Sequence, residues 1–237
     1  MTFSLIGRGP DGQLGLAVAS RVLGVGARCP GALPGRAVLS SQAYINPFLA
    51  GDVLERVAAG EDLAGAVAAV LAADPARELR QLVAIGPDGP AVIHTGAEVD
   101  PWSGHRSGTD CAAAGNLLAG PGVIDAAVEA FERDPDAPLP ERLVRGIEAG
   151  DAAGGDRRGR QSAALLVHGP ETPSYVDLRV DDHPDPVAEL RRLWNLCTPP
   201  LLERAWRAAS TRDLEPVEAL RARQAQVRAS LEPERTA

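Results

Sequence analysis

Lysine is missing from this chain: all 24 basic residues are arginine. That absence removes a lysine base, a Schiff-base former and an ammonium clamp for phosphate. Aromatic residues are scarce, at 3%, so Ala, Val and Leu have to fill the core. Three cysteines, Cys29, Cys111 and Cys197, form no CxxC pair. Their odd number argues against a disulfide framework or a zinc site and for single thiols in a reducing compartment. Apolar runs of ~18 residues are absent, so no membrane span is expected. The start, MTFSLIGRG, has neither the basic region nor the long apolar region of a signal peptide. These absences point to a cytoplasmic protein. The formal net charge of −8 opposes nucleic acid and anionic membrane as partners.

What remains is ample for a folded core: 237 residues, 45% of them hydrophobic, enough for one large domain or a domain with a tail. Strands are expected over 2–8 and 14–20, joined as a hairpin at Pro10-Asp11-Gly12. Glycines and prolines between Gly24 and Gly35 predict an irregular stretch, followed by a strand over 36–44. Asn46-Pro47 opens a helix to about Ala59, and Glu61-Asp62 opens another to Asp74. Strands are expected at 81–85, 91–95 and 110–118, and helices at 123–132 and 140–152. Strands at 160–167 and 174–180 and a helix from Asp185 to Leu196 complete the order. Hairpin-linked strands alternating with paired helices predict sheets packed face to face with helices outside, rather than βαβ units. Residues 1–198 read as one domain and 199–237, rich in Arg and Glu, as a helical appendage.

The chemistry begins at Thr2. A small second residue is the setting in which Met1 is removed, which would leave a threonine amine beside its own hydroxyl. An α-amine titrates at about 7.7–8.0, so it can take the hydroxyl proton and let the oxygen attack a carbonyl. Ser20-Arg21 closes the second strand, and Gln42 follows Ser40 and Ser41 on the third. Asn116 precedes Gly120-Pro121-Gly122 and a helix. GGDRRGRQS, from Gly154 to Ser162, crowds Asp156, Arg157, Arg158 and Gln161 among glycines. Such loops let backbone N–H groups approach an anion, while arginines bind carboxylates bidentately. The four histidines, at 94, 105, 168 and 183, have no metal-ligand spacing, so neither metal nor cofactor is expected.

These segments resemble the domain-of-unknown-function 1028 family, placed with the N-terminal-nucleophile (Ntn) hydrolases. The similarity is carried by TFSLIGR from Thr2, GLAVASR ending at Arg21, SSQAYINP ending at Pro47, RQLVAI from Arg80 and HTG at His94. It continues through AGNLLAGP from Ala114, GGDRRGRQSAAL from Gly154 and VDLRVDDHPDPVAELRRL from Val176, and covers about residues 2–193. The resemblance implies an α+β fold: a four-layer αββα sandwich of antiparallel sheets, with the nucleophile at the head of strand one. It implies hydrolysis of amide-type bonds but supplies no substrate; the leading expectation is an amidohydrolase acting on C–N bonds other than peptide bonds, in a small amide, ureido or imine-like molecule. Thr2 is then the nucleophile, Asn116 the oxyanion donor, and Asp156 with Arg157 or Arg158 the anchor of the amino terminus or substrate. Ser20, Arg21, Gln42, His94 and Gln161 are candidates around them. Proteasome-like relatives keep a lysine beside the threonine; its absence here leaves the α-amine as the base, since an arginine cannot shuttle a proton. A homodimer is left open. The rival expectation is a non-catalytic binding or scaffold protein on the same fold.

Overall fold

The computed structural model describes residues 2–9, 12–170 and 176–197, and residues 218, 219, 221, 222, 225 and 226. The chain divides into two compact units, Met1–Leu193 and Trp194–Ala237. Most of the appendage expected over 199–237 lies outside the described residues, and the few described there are helical.

Two antiparallel sheets form the centre of the first unit. One holds β1 (Thr2–Arg8), β2 (Leu14–Ser20), β7 (Gly104–Gly108), β8 (Cys111–Asn116), β9 (Ser162–His168) and β10 (Val176–Val180). Its order is β10-β9-β2-β1-β8-β7. The other runs β3 (Pro30–Leu33), β4 (Ala37–Ala43), β5 (Arg80–Ile85), β6 (Val92–Thr95) in sequence order. The helices are α1 (Leu49–Ala58), α2 (Leu63–Ala73), α3 (Gly122–Glu132), α4 (Leu139–Ala152) and α5 (Pro186–Cys197).

Strand periodicity makes the layers. On β1, Thr2, Ser4 and Ile6 point to one face, and Phe3, Leu5 and Gly7 to the other. Ile6 joins Leu16, Val18, Ala112, Ala114 and Ala164 against Val38, Val83 and Ile85 of the second sheet. Leu39, Leu82 and Ala84, on the far side of that sheet, meet Leu49, Val53 and Val57 of α1 and Val67 and Leu71 of α2. Phe3 and Leu5 face α4 so closely that a Cβ at Gly146 would stand 2.1 Å from Leu5 Cδ2, and one at Gly150 2.8 Å from Phe3 Cε2. The result is a four-layer αββα sandwich.

The structure adds two strands that composition hid. β3 begins at Pro30, inside the stretch expected to be irregular. Pro is acceptable at the first position of an edge strand, which needs no ladder donor there. Gly31 admits α1: a Cβ there would be 3.1 Å from Ala50 Cβ. β7 (GHRSG) lacks β-branched residues, yet pairs with β8 from Gly104↔Gly115 to Gly108↔Cys111. Its end glycines are filled by neighbours, Trp102 over Gly104 and Val128 over Gly108. Helix α1 starts at Leu49, later than Asn46-Pro47 suggests, because Asn46 Oδ1 accepts from the Phe48 N–H at 3.0 Å in a local turn. β8 stops at Asn116, short of Leu118, because Leu117 turns left-handed at φ 51°.

Candidate functional site

The β1 register brings polar side chains to one end of the inner face. Thr2 pairs with Ser20 on β2 and with Asn116 on β8. Ser20 pairs in turn with Ser162 on β9. Directly paired residues share a face, so Asn116, Thr2, Ser20 and Ser162 form one row across four strands. All four are buried, Thr2 at 4% exposure. Thr2 Oγ1 lies 3.1 Å from Ser20 Oγ. The Ser162 hydroxyl donates to the Val22 carbonyl and accepts from the Val25 N–H at 3.2 Å, which fixes the turn leaving β2.

The second sheet answers this row with its own polar end. Ser40, Gln42 and Gln81 are fully buried between the sheets. Ser4 Oγ donates to Gln42 Oε1 at 2.6 Å and lies 2.8 Å from Ser40 Oγ. Gln42 Nε2 donates to Gln81 Oε1 at 2.8 Å and to the Ala114 carbonyl at 3.1 Å, with the Thr2 carbonyl at 3.5 Å. Gln81 Oε1 also accepts from Asn116 Nδ2 at 2.9 Å, while Gln81 Nε2 donates to the Gly115 carbonyl at 2.9 Å and to Thr95 Oγ1 at 3.1 Å. Thr95 Oγ1 is 3.1 Å from His105 Nδ1. Buried amides tolerate such a place only when partnered. Here two glutamines join the sheets behind Thr2 and Asn116.

Two non-glycine residues at positive φ flank this network, Ala43 at 70° after Gln42 and Leu117 at 51° after Asn116. Strained backbone of this kind collects at functional sites. The Cys29 thiol, buried and hydrogen-bonded to Thr2, completes the neighbourhood. Burial pushes it up to about 12, against the opposing hydrogen bond from Thr2, so it is a neutral thiol rather than a nucleophilic thiolate.

The glycine-rich loop closes the end of the sheet beyond Thr2. Asp156 forms an isolated bridge with Leu118, and the Arg157 N–H donates to the Leu117 carbonyl at 3.3 Å. Asp156 Oδ2 accepts from the Arg21 N–H at 2.8 Å, and Oδ1 from the Arg158 N–H at 2.8 Å. The Arg158 guanidinium reaches the same carboxylate at 3.3 Å. Asp156 therefore spans the ends of β2 and β8, where an upstream extension of β1 would lie. Gln161 accepts from Arg21 Nη1 at 2.9 Å, and its N–H donates to the Ser20 carbonyl at 3.1 Å.

Thr2, Ser20, Arg21, Gln42, Asn116, Asp156, Arg157, Arg158 and Gln161 are thus carried by adjoining strand ends and one loop. His94 is not among them. It pairs with Leu82, whose side chain faces the helices, so His94 shares that outer face and bonds the Arg77 carbonyl at 2.8 Å. Its position in the HTG segment says nothing of the strand's facing, which pairing decides. Gln81 and Ser4, not among the expected residues, also belong to this network. The signal was a polar residue at an inward position of an otherwise apolar strand: Gln81 alternates with Val83 and Ile85, and Ser4 with Ile6. Cys29 comes beside Thr2 because β3, which begins at the next residue, carries it there. A groove of about 570 Å³ between α1 and α2, with Asp52, Glu55, Val70 and Asp74 among its walls, holds none of these residues. Among the described residues, no group of three or more His, Cys, Asp or Glu is placed to hold a metal ion, and no helix is long and apolar enough to cross a membrane.

Fold and site together define an α+β protein, a four-layer αββα sandwich of antiparallel sheets with a buried polar end between them. The chain belongs to the family of unknown function DUF1028, whose model matches residues 2–190. It is similar to protein SPO2555 from Silicibacter pomeroyi, a DUF1028 crystal structure, at 31% identity and a TM-score of 0.77, over 85% of this chain and 91% of that one. Anbu (ancestral beta-subunit) from Yersinia bercovieri matches at 14% identity and a TM-score of 0.41, over 90% and 100%. The Anbu (Gly-1) mutant from Hyphomicrobium sp. strain MC1 matches at 15% and 0.43, over 90% and 100%. At such TM-scores the Anbu likenesses say nothing about the chemistry of this chain. Among curated proteins, none matches.

Proposed function

We propose that this protein is an Ntn hydrolase that cleaves a non-peptide C–N bond in a small amide, ureido or imine-like substrate. Thr2, freed by removal of Met1, is the nucleophile and its α-amine the base. The hydroxyl attacks the substrate carbonyl and its proton passes to the amine, directly or through one water. The leaving nitrogen takes that proton, and water then releases the acyl group from Thr2. Asn116 Nδ2 has two hydrogens, one of them engaged by Gln81. The second serves the oxyanion together with backbone N–H groups, a contribution of about 3–4 kcal/mol where such donors have been removed. Ser20 orients the Thr2 hydroxyl, and Asp156 with its arginines fixes the strand ends around the amino terminus.

The observation that carries this reading is the Thr2 hydroxyl held 3.1 Å from Ser20 Oγ, in a buried row with Asn116. Thr2 is 4% exposed, and its α-amine exists as a free base only once Met1 is removed. Intact-mass measurement of the purified protein tests the first requirement: the expected mass lacks Met1, and a majority of chains retaining it would sink the mechanism. Turnover of a panel of small amides, ureido compounds and imines tests the second.

A further inference from the structure

The arginines of the first unit sort by what they touch. Most end on a carboxylate, as Arg8 does on Asp110, Arg80 on Asp74, Arg160 on Asp151 and Arg191 on Glu148. Arg36 and Arg142 end on the backbone carbonyls of Val57 and Phe131. Among the described residues of this unit, Arg21, Arg28, Arg133 and Arg157 have neither partner. Arg133 follows α3. The other three sit on segments that leave the sheets at the Thr2 end. Arg21 follows Ser20, Arg28 precedes Cys29, and the Arg157 N–H bonds Leu117, the residue after Asn116.

Among the described residues none of these three guanidiniums forms an ion pair, and Asp156, the acid of the loop, is engaged elsewhere. Both Asp156 oxygens are taken by the Arg21 and Arg158 N–H groups, and the Arg158 guanidinium adds to them. Arg21 lies along Gly159, where a Cβ would be 3.8 Å from its Cδ and Nε. Among the described residues its side chain donates to the neutral Gln161. The neighbouring acid, Asp182, lies beyond Gln161, which donates to it at 3.0 Å. A protein of net charge −8 repels anions at long range. Three arginines without an ion pair, on segments that meet the sheets at the Thr2 end, therefore mark a local exception. The inner row, by contrast, offers only hydroxyls and amides, which suit an uncharged C–N bond.

We propose that the Thr2 site takes substrates with a neutral amide-type bond at one end and a carboxylate at the other, such as N-acyl or N-carbamoyl derivatives of carboxylic acids. Arg21, Arg28 and Arg157 at the rim receive the carboxylate, while the reacting carbonyl enters between Thr2 and Asn116. The inference rests on the Thr2 reading for the reacting end only.

The test uses the full chain, shown by mass to lack Met1, and two ester probes of equal acyl length: the p-nitrophenyl half-ester of glutaric acid and p-nitrophenyl pentanoate. With either, the Thr2 Oγ–acyl bond forms, p-nitrophenolate leaves and the hydroxyl proton goes to the α-amine. At about 0.15 M salt, where long-range fields are screened within ~8 Å, kcat/KM for the half-ester is expected to exceed that for the pentanoate by ~10-fold or more, the size of one charged hydrogen bond. Arg21→Gln, Arg28→Gln and Arg157→Gln each reduce that ratio, and Arg133→Gln does not. Calorimetry is expected to find glutarate bound, glutaramide unbound, and glutarate binding lost in the triple Arg→Gln variant. Equal rates on the two esters, or glutarate binding that survives the triple variant, would overturn the proposal. If Thr2→Ala hydrolyses both esters as fast as the parent, the Thr2 reading falls instead, and the calorimetry still decides the carboxylate site.

Discussion

Asn116 and Gln81, 35 residues apart in sequence and on different sheets, share a buried hydrogen bond of 2.9 Å from Asn116 Nδ2 to Gln81 Oε1. The same oxygen accepts from Gln42 Nε2 at 2.8 Å, so one acceptor sets the orientation of two amides beside Thr2. Gln81→Leu removes it and leaves two buried N–H groups short of a partner. The expected loss is about 2–4 kcal/mol, since an unsatisfied buried donor costs about 1–3 kcal/mol. Urea denaturation reads this as a lower midpoint at unchanged slope. A variant as stable as the parent would mean that water or a repacked neighbour replaces the glutamine.

Thr2→Ala is expected to abolish turnover while the protein stays folded. Alanine still permits Met1 removal, so the amine survives and only the hydroxyl is lost. Removal of a covalent nucleophile costs up to ~10⁶-fold in rate. The stability loss is expected to be about 1–2 kcal/mol, from the hydrogen bonds to Ser20 and Cys29. Thr2→Ser should retain part of the activity because the hydroxyl remains. Near-normal turnover by a folded Thr2→Ala protein would redirect the search to another nucleophile.

Asp156→Asn keeps the shape but halves the acceptors. Either the Arg21 or the Arg158 N–H then faces an amide NH2 group, and the Arg158 ion pair is lost. A destabilisation of about 1–3 kcal/mol follows from the orphaned donor. Hydrogen exchange is the direct readout: the Arg21 amide should exchange faster, while amides in the middle of β5 stay protected. Unchanged exchange at Arg21 would show that the loop is held by its backbone bonds alone.

The Asp74–Arg80 pair gives a pH signature away from the site. Arg80 donates to Asp74 at 2.8 Å in a buried setting. That hydrogen bond, opposed by burial and helped by the Ala76 N–H, holds the carboxyl down at about 2. A depressed acid stabilises the fold above its unfolded value near 3.9 and loses that contribution as pH falls through about 4 to 2. Two pH units correspond to about 2.5 kcal/mol. Stability measured from pH 6 down to pH 2 should fall less steeply in Asp74→Asn than in the parent, by about that amount. Parallel curves would show that the pair is matched by an equal interaction in the unfolded chain.

Much of this molecule follows from local chemistry. The alternation in TFSLIGR and LGLAVAS, broken by Pro10-Asp11-Gly12, specifies a hairpin, and its full register from Thr2↔Ser20 to Arg8↔Leu14 is what that pattern requires. The helix starting after Asp62 was legible because Asp62 caps it, accepting from the Gly65 N–H at 2.9 Å. Thr2, Asn116 and the Asp156 loop could be singled out because they are polar or charged residues beside strand ends and glycines. Facing and company could not be read there. β3 and β7 owe their strand state to neighbours that fill the space over Gly31, Gly104 and Gly108, and no local propensity encodes such long-range pairing. His94 sits on the outer face only because β6 pairs with β5 in one register. Gln81 becomes part of the site only when two sheets, separately specified, close on each other and force their buried amides to find partners. The sequence by itself determined the elements and the chemical groups at their ends, since those depend on a few adjacent residues. Which groups meet was decided by tertiary structure alone, because burial between sheets imposes hydrogen-bond satisfaction across distances that no local pattern spans.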